Sequence, residues 1–203
     1  MSHPPSAAPR VDLVIVLGGG GSRRLGHDKL AASIGDLSVL DTLLAGLANA
    51  LPGVPVAVVG PERATSLPVT WSREEPAGGG PVAGLAAALG LAPAGDPLAV
   101  VAVVAGDQPF AAPALPLLVA ALAGHDGAIG VDPSGRDQPL LAAYRCGPLR
   151  QAVGAQPAGQ SVRAMVSRLT VVRVPLEGQW CLDVDTAADL DAARRFAGLG
   201  FEP

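Results

Sequence analysis

The sequence predicts a single Rossmann-like α/β domain: a mostly parallel central sheet flanked by helices. Three observations carry this. Short apolar runs rich in β-branched residues recur at 11–17, 54–59 and 98–105, as buried parallel strands do. Amphipathic helical patterns lie between them, which calls for strand–helix–strand crossovers. Glycine-rich turns stand at 18–21, 78–80 and 106, where strands give way to loops or helices.

Residues 1–10 are polar and rich in Pro, Ser and Ala, without the apolar core of a signal peptide. A disordered tail is expected there, with the domain running from 11 to 203. Val11–Leu17 reads as the first strand, broken only by Asp12. It runs into Leu17-Gly18-Gly19-Gly20-Gly21-Ser22-Arg23-Arg24-Leu25-Gly26-His27-Asp28-Lys29. Glycines at a strand end let backbone N–H groups approach an anion closely. Arg23, Arg24 and Lys29 add positive charge, so a nucleoside triphosphate suits the loop. Glycines alone would equally suit a plain flexible loop. The dinucleotide fingerprint needs a helix at once, and the Walker pattern needs Gly-Lys-Ser/Thr. Neither is met, because Lys29 is followed by Leu30 and no helical period starts before it.

Ser38 can cap a helix over Val39 to about Leu51, which Pro52-Gly53 ends. Strands follow at Val54–Val59 and Val69–Ser72. The stretch Glu74-Glu75-Pro76-Ala77-Gly78-Gly79-Gly80-Pro81-Val82-Ala83-Gly84 then opens a helix to about Ala92. Leu98–Ala105, the most continuous apolar run, belongs at the sheet centre and ends at Gly106-Asp107-Gln108-Pro109. An aspartate at the carboxyl end of a central parallel strand stands where ligands bind in open α/β sheets. Its hard oxygens suit Mg²⁺ beside phosphates. A plain turn aspartate is the structural alternative.

A helix over Pro113 to about Ala123 and a strand at Gly127–Val131 come next. Arg136 to Tyr144 reads either as a polar loop facing a second substrate or as a hairpin loop. Pro148 to about Gly154 forms a short helix, and Gln160-Ser161-Val162-Arg163 opens another. Arg168 reads as a solvated helix charge. Thr170–Pro175 is the last strand. Thr186 and Asp189 form a capping box for a final helix to about Ala197. Asp183 and Asp185, at alternate positions of an extended segment, share one face.

The 203 residues are enough for a stable core, with 49% apolar and 16% charged. The net charge of −4 gives no reason to bind nucleic acid or an anionic membrane. Two distant cysteines, Cys146 and Cys181, fit a cytoplasmic protein with free thiols. No apolar stretch has membrane-spanning length.

The first glycine loop resembles the signature of the molybdenum cofactor nucleotidyltransferases, L-A-G-G-x-S-x-R-M-G-x-D-K. It departs at Gly18, usually Ala, and at Leu25, usually Met. Gly80-Pro81-Val82-Ala83-Gly84 resembles the G-P-L-A-G segment of the guanylyltransferase branch. Asp107 matches the family's C/G-D-x-P, and Asp183-Val184-Asp185-Thr186 its D-x-D-T. The resemblance runs from Val14 to Leu190. It implies an NTP-transferase-like domain that joins a nucleotide to a molybdopterin phosphate and releases pyrophosphate, with transfer to another phosphate acceptor as the alternative. It further implies nucleotide contacts at Leu17, Gly18, Gly19, Gly20, Lys29, Gly80 and Asp107, with Glu75 as the acidic residue that reads the base. Arg24 and Lys29 would neutralise phosphate charge beside a catalytic Asp107. Mg²⁺ would rest on Asp107 and Asp185, and Arg163 would lie toward the pterin phosphate. Transient contact with molybdoenzymes or other cofactor-assembly proteins is the partner expectation. Gly19 and the second glycine turn favour GTP, whereas Gly106-Asp107-Gln108-Pro109 and Asp183-Val184-Asp185-Thr186 are shared with the CTP branch. GTP is expected, because the first pair lies where a base would sit.

Overall fold

The computed structural model describes residues 10–19 and 28–198. Nine strands, six α-helices and two short 3₁₀ turns follow in chain order through these residues. Strand β1 (Val11–Leu17) is followed by the small hairpin β2 (Ser33–Ile34) and β3 (Leu37–Ser38). Helix α1 (Val39–Ala50), β4 (Val56–Val59), β5 (Thr70–Ser72), α2 (Pro81–Leu89) and β6 (Val100–Ala105) come next. Helix α3 (Ala114–Ala121), β7 (Gly127–Val131), β8 (Asp137–Arg145), α4 (Cys146–Val153), α5 (Val162–Val166), β9 (Val171–Pro175) and α6 (Ala187–Gly198) complete the order.

Seven strands form one sheet in the order β5-β4-β1-β6-β8-β7-β9. Within it only β8 is reversed, antiparallel to both β6 and β7. The expected mostly parallel sheet is therefore present, and Leu98–Ala105 supplies its centre as β6. Arg136–Tyr144 resolves as a hairpin. Asp132 organises its loop by accepting from the N–H groups of Ser134 and Arg136 and from the Gln138 amide. These bonds hold the Asp132 carboxyl below its ordinary range, the Ser134 hydroxyl contributing most. Gln138 is thereby occupied within its own hairpin.

Strand alternation splits the core into two layers. Val14 and Val16 of β1, with Val100, Ala102 and Val104 of β6, face α1, α3 and α6. Leu13 and Ile15, with Val101 and Val103, face α2 and α4. All of these side chains are buried, so continuous apolar runs were the correct strand signal. Asp12 fits because its carboxylate accepts from Val100 N–H at 2.9 Å, where the β1–β6 register shifts.

The expected caps at Ser38 and Thr186 are present. Ser38 accepts from Asp41 N–H at α1, and Thr186 and Asp189 exchange bonds at the start of α6. Ser161, where a helix was expected to open, accepts from Ala164 N–H at α5. Arg168 departs from expectation, because its guanidinium donates to the Ala152 carbonyl in the last turn of α4.

Candidate active site

The chain leaves β1 to one side through β4 and β5, then returns through α2 to β6 on the other side of β1. That reversal opens a crevice beyond the carboxyl ends of β1 and β6, the usual ligand position in such sheets. The loops there are drawn together. Gly106 N–H donates to the Leu17 carbonyl at 3.0 Å and Gly18 N–H to the Val59 carbonyl at 2.8 Å. A Cβ on Gly18 would lie 3.2 Å from Leu30 Cδ1 and from the Val59 carbonyl oxygen. Alanine, usual here in the resembling motif, would need these neighbours to give by a few tenths of an ångström.

A cavity of about 490 Å³ opens over these glycines. Leu17, Gly18, Gly19, Gly80, Arg63 and Glu74 are among its lining residues. A smaller neighbouring cavity shares Leu17, Gly18, Gly19 and Arg63, and adds Asp28, Lys29 and Asp107. A glycine-rich chamber with a few charged side chains in its wall therefore adjoins a smaller one dominated by charge, an arrangement that suits a base beside its phosphates.

Lys29 Nζ pairs with Asp107 and, at 2.8 Å, with Asp185. Burial pulls the Lys29 pKa down, but the bonds and charges of the two carboxylates outweigh it and hold the ammonium above its ordinary range. Val184 N–H donates to the Asp107 carbonyl at 2.9 Å and ties the 182–186 segment to the end of β6. Val184 is fully buried, so Asp183 and Asp185 turn the other way. Asp183 is pushed up to about 6, first by desolvation and then by the charge of Asp107, against a bond from Gln108.

The donor set suits a hard divalent cation. Two carboxylates converge on one cation position, and Mg²⁺ commonly takes one or two carboxylates plus phosphate and water oxygens. Among the described residues no group of three His, Cys, Asp or Glu could hold a metal unaided.

Residues 14–173 match the family described as the MobA-like NTP transferase domain. The chain belongs to that family. It is 39% identical over 140 residues to a molybdenum cofactor guanylyltransferase of Mesorhizobium japonicum, covering 64% of this chain and 65% of the relative. The match thus spans just under two thirds of that relative's length. The fold is that of molybdopterin-guanine dinucleotide biosynthesis protein A from Archaeoglobus fulgidus, with TM-score 0.68, 21% identity, and 92% and 99% of the two chains covered. It is also that of 2-C-methyl-D-erythritol 4-phosphate cytidylyltransferase from Thermus thermophilus, with TM-score 0.65, 18% identity, and 93% and 99% covered.

In this MobA-like nucleotidyltransferase domain the structure brings together Leu17, Gly18, Gly19, Gly80, Lys29, Asp107 and Asp185. Gly20 and Arg24 lie outside the described residues. Glu75 does not join the site: it is exposed and absent from the cavity lining, whereas Glu74 lines it. Glu74 Oε1 accepts from Gly78 N–H at 3.1 Å, which turns its carboxylate across the glycine turn. A Cβ on Gly19 would come within 3.9 Å of that carboxylate. Adjacent glutamates before an irregular turn carry no local signal of which faces inward. Arg63 and Arg73 also line the cavity, and no motif marked them. Arg163 is exposed on α5.

Among the described residues no helix is long and apolar enough to cross a membrane.

Proposed function

We propose that this domain transfers GMP from GTP to the phosphate of a molybdopterin, releasing pyrophosphate. One observation carries the reading. Lys29 and Asp107 line a small cavity, with Asp185 paired to Lys29, and that cavity shares Leu17, Gly18 and Gly19 with a larger one whose wall carries the carboxylate of Glu74. The family membership and the guanylyltransferase relative support the same activity.

In this reading the backbone of Leu17 to Gly20 cradles the nucleotide, and Glu74 accepts from guanine N1–H and its exocyclic amine. Cytosine lacks that pair of adjacent donors, and a wrong base leaves buried polar groups unpaired. Lys29 and Arg24 neutralise triphosphate and departing pyrophosphate charge. Asp107 and Asp185 would hold Mg²⁺, which would supply charge neutralisation beside the phosphates. A divalent cation is needed on charge grounds. The single charge of Lys29 offsets only one of the two carboxylates there, so a polyanion entering beside them requires added positive charge. The domain's remaining work is alignment of the acceptor phosphate with the α-phosphorus. Action in the cytoplasm, and transient contact with molybdoenzymes or other cofactor-assembly proteins, belong to the same proposal.

Cytidylyl transfer is the second reading, favoured by the paired carboxylates Asp183 and Asp185. Competition between GTP and CTP at equal concentration, followed by pyrophosphate release with molybdopterin as acceptor, separates the two. GTP is expected to win. Gly19→Ala, which narrows the approach to Glu74, is expected to weaken the preference for GTP. Wild-type preference for CTP would overturn the base assignment, and no turnover with either would overturn the activity.

A further inference from the structure

Arg63 belongs to no motif of the sequence, yet it lines both cavities of the site. It follows β4, and its side chain is only 17% exposed. Its guanidinium is committed on two sides. Nη1 donates to the Pro61 carbonyl at 2.8 Å, within its own loop. Nε and Nη2 donate to the two oxygens of Asp28, at 2.5 and 3.2 Å. This is the two-pronged arrangement that a guanidinium makes with a carboxylate and an ammonium cannot.

Asp28 is occupied in turn. Its Oδ1 accepts from Leu30 N–H at 3.2 Å and caps the 3₁₀ turn over Lys29–Ala31. Lys29 begins that turn and reaches Asp107 and Asp185. Buried Leu30 anchors it from below, beside Gly18. A continuous chain of contacts therefore runs from the β4–β5 loop through Arg63 and Asp28 to the backbone that carries Lys29.

We propose that Arg63 and Asp28 form a positioning clasp, which fixes the 3₁₀ turn so that Lys29 stands at the phosphate end of the cavity. Arg63 acts through Asp28 rather than on the nucleotide. The consequence for nucleotide binding rests on the nucleotidyltransferase reading above; the consequence for Lys29 does not.

Lys29 is the only lysine of the chain, so amine acylation of the full-length protein, followed on the Lys29 peptide by mass spectrometry, reports its environment alone. Arg63→Ala is expected to raise the acylation rate by about fivefold or more, because the ammonium spends more time away from its carboxylates. Asp28→Asn, which keeps a cap oxygen and loses the charge, is expected to do the same by a smaller factor. The double variant is expected to match Arg63→Ala alone. Arg63→Lys is expected to rescue only partly. In titrations with Mg²⁺ and GTP, each single variant is expected to lose roughly tenfold in affinity and the double variant about the same tenfold, not a hundredfold.

An unchanged Lys29 acylation rate in folded Arg63→Ala would overturn the clasp. So would losses that multiply in the double variant, or a loss in Arg63→Ala with none in Asp28→Asn, which would place Arg63 on the nucleotide directly. Failure of the wild type to bind GTP would remove the nucleotide reading and leave the acylation result to decide the clasp.

Discussion

Lys29 and Asp183 show how one small cluster holds groups tuned in opposite senses. Lys29 has only 15% of its side chain exposed and is held charged by Asp107 and Asp185. Its raised pKa means that its contribution is present below 10.5 and is lost only as pH rises through the still higher folded value. It is therefore a fixed cation at any neutral pH. Lys29→Ala is expected to lower turnover by about 10²–10³-fold at saturating Mg²⁺, in steady-state assays, because a charge aimed at developing phosphate charge is lost. Asp183 has the reverse sign. Its folded pKa, about 6, lies above the ordinary 3.8. Stability from this group is present below 3.8 and is lost as pH rises through about 6. Asp183 is solvent-exposed, so water screens most of this shift, and in EDTA Asp183→Asn is expected to raise the Tm by no more than roughly 2 °C at alkaline pH. The gain should vanish in acid, below the unfolded pKa of the aspartate. A gain that is constant across the titration would show that desolvation of Asp183 is not its source. Glu74 makes a separate point at this scale: neighbouring identical residues can differ wholly in role, and only the turn that Gly78 N–H closes decides between them.

Among elements, the β7–β8 hairpin carries the reversed strand of the sheet. Gly127 lies directly opposite Tyr144 in the register. A Cβ at Gly127 would come within 2.5 Å of Tyr144 Cδ1. The ring cannot retreat, because it is fully buried and its hydroxyl donates to the Pro139 carbonyl at 2.7 Å. Desolvation in that interior pushes the phenol pKa well up. Gly127→Ala is therefore expected to destabilise by about 2–3 kcal/mol in urea unfolding, although alanine normally stabilises a strand relative to glycine. On a Tyr144→Leu background the penalty should shrink, since the two sites share one space. Equal penalties on both backgrounds would place the strain elsewhere. The hairpin also shows why its strand was hard to orient from sequence. Asp132 and Gly135 make a tight turn whose hydrogen bonds are local, but the same polar residues would suit a substrate-facing loop.

At the scale of the whole molecule, the site exists only because three distant segments meet at one crevice. Lys29 lies 78 positions from Asp107 and 156 from Asp185. A ligand that bridges them should stabilise the entire fold. Mg²⁺ with GTP at a hundred times its Kd is expected to raise the unfolding free energy by about 2.7 kcal/mol. Asp107→Asn is expected to remove the Mg²⁺-dependent part of that rise in denaturant titrations. An undiminished rise in that variant would move the metal away from Asp107.

The sequence by itself determined the alternation of strands and helices, the core composition, the caps at Ser38 and Thr186, and the positions of the two glycine turns. Each of these follows from hydrophobic period, from φ freedom or from a bond between residues three or four apart, all of which near neighbours settle. Gly18 and Asp107 were legible because they stand just past the ends of β1 and β6, and Lys29 because the loop resembles a family signature. Tertiary structure alone decided that Glu74 and not Glu75 enters the cavity, that Arg63 grips Asp28, that Arg168 caps α4 and that β8 runs backwards. Those outcomes depend on which segments pack together across the sheet, and a long-range contact leaves no period or spacing in the chain that makes it.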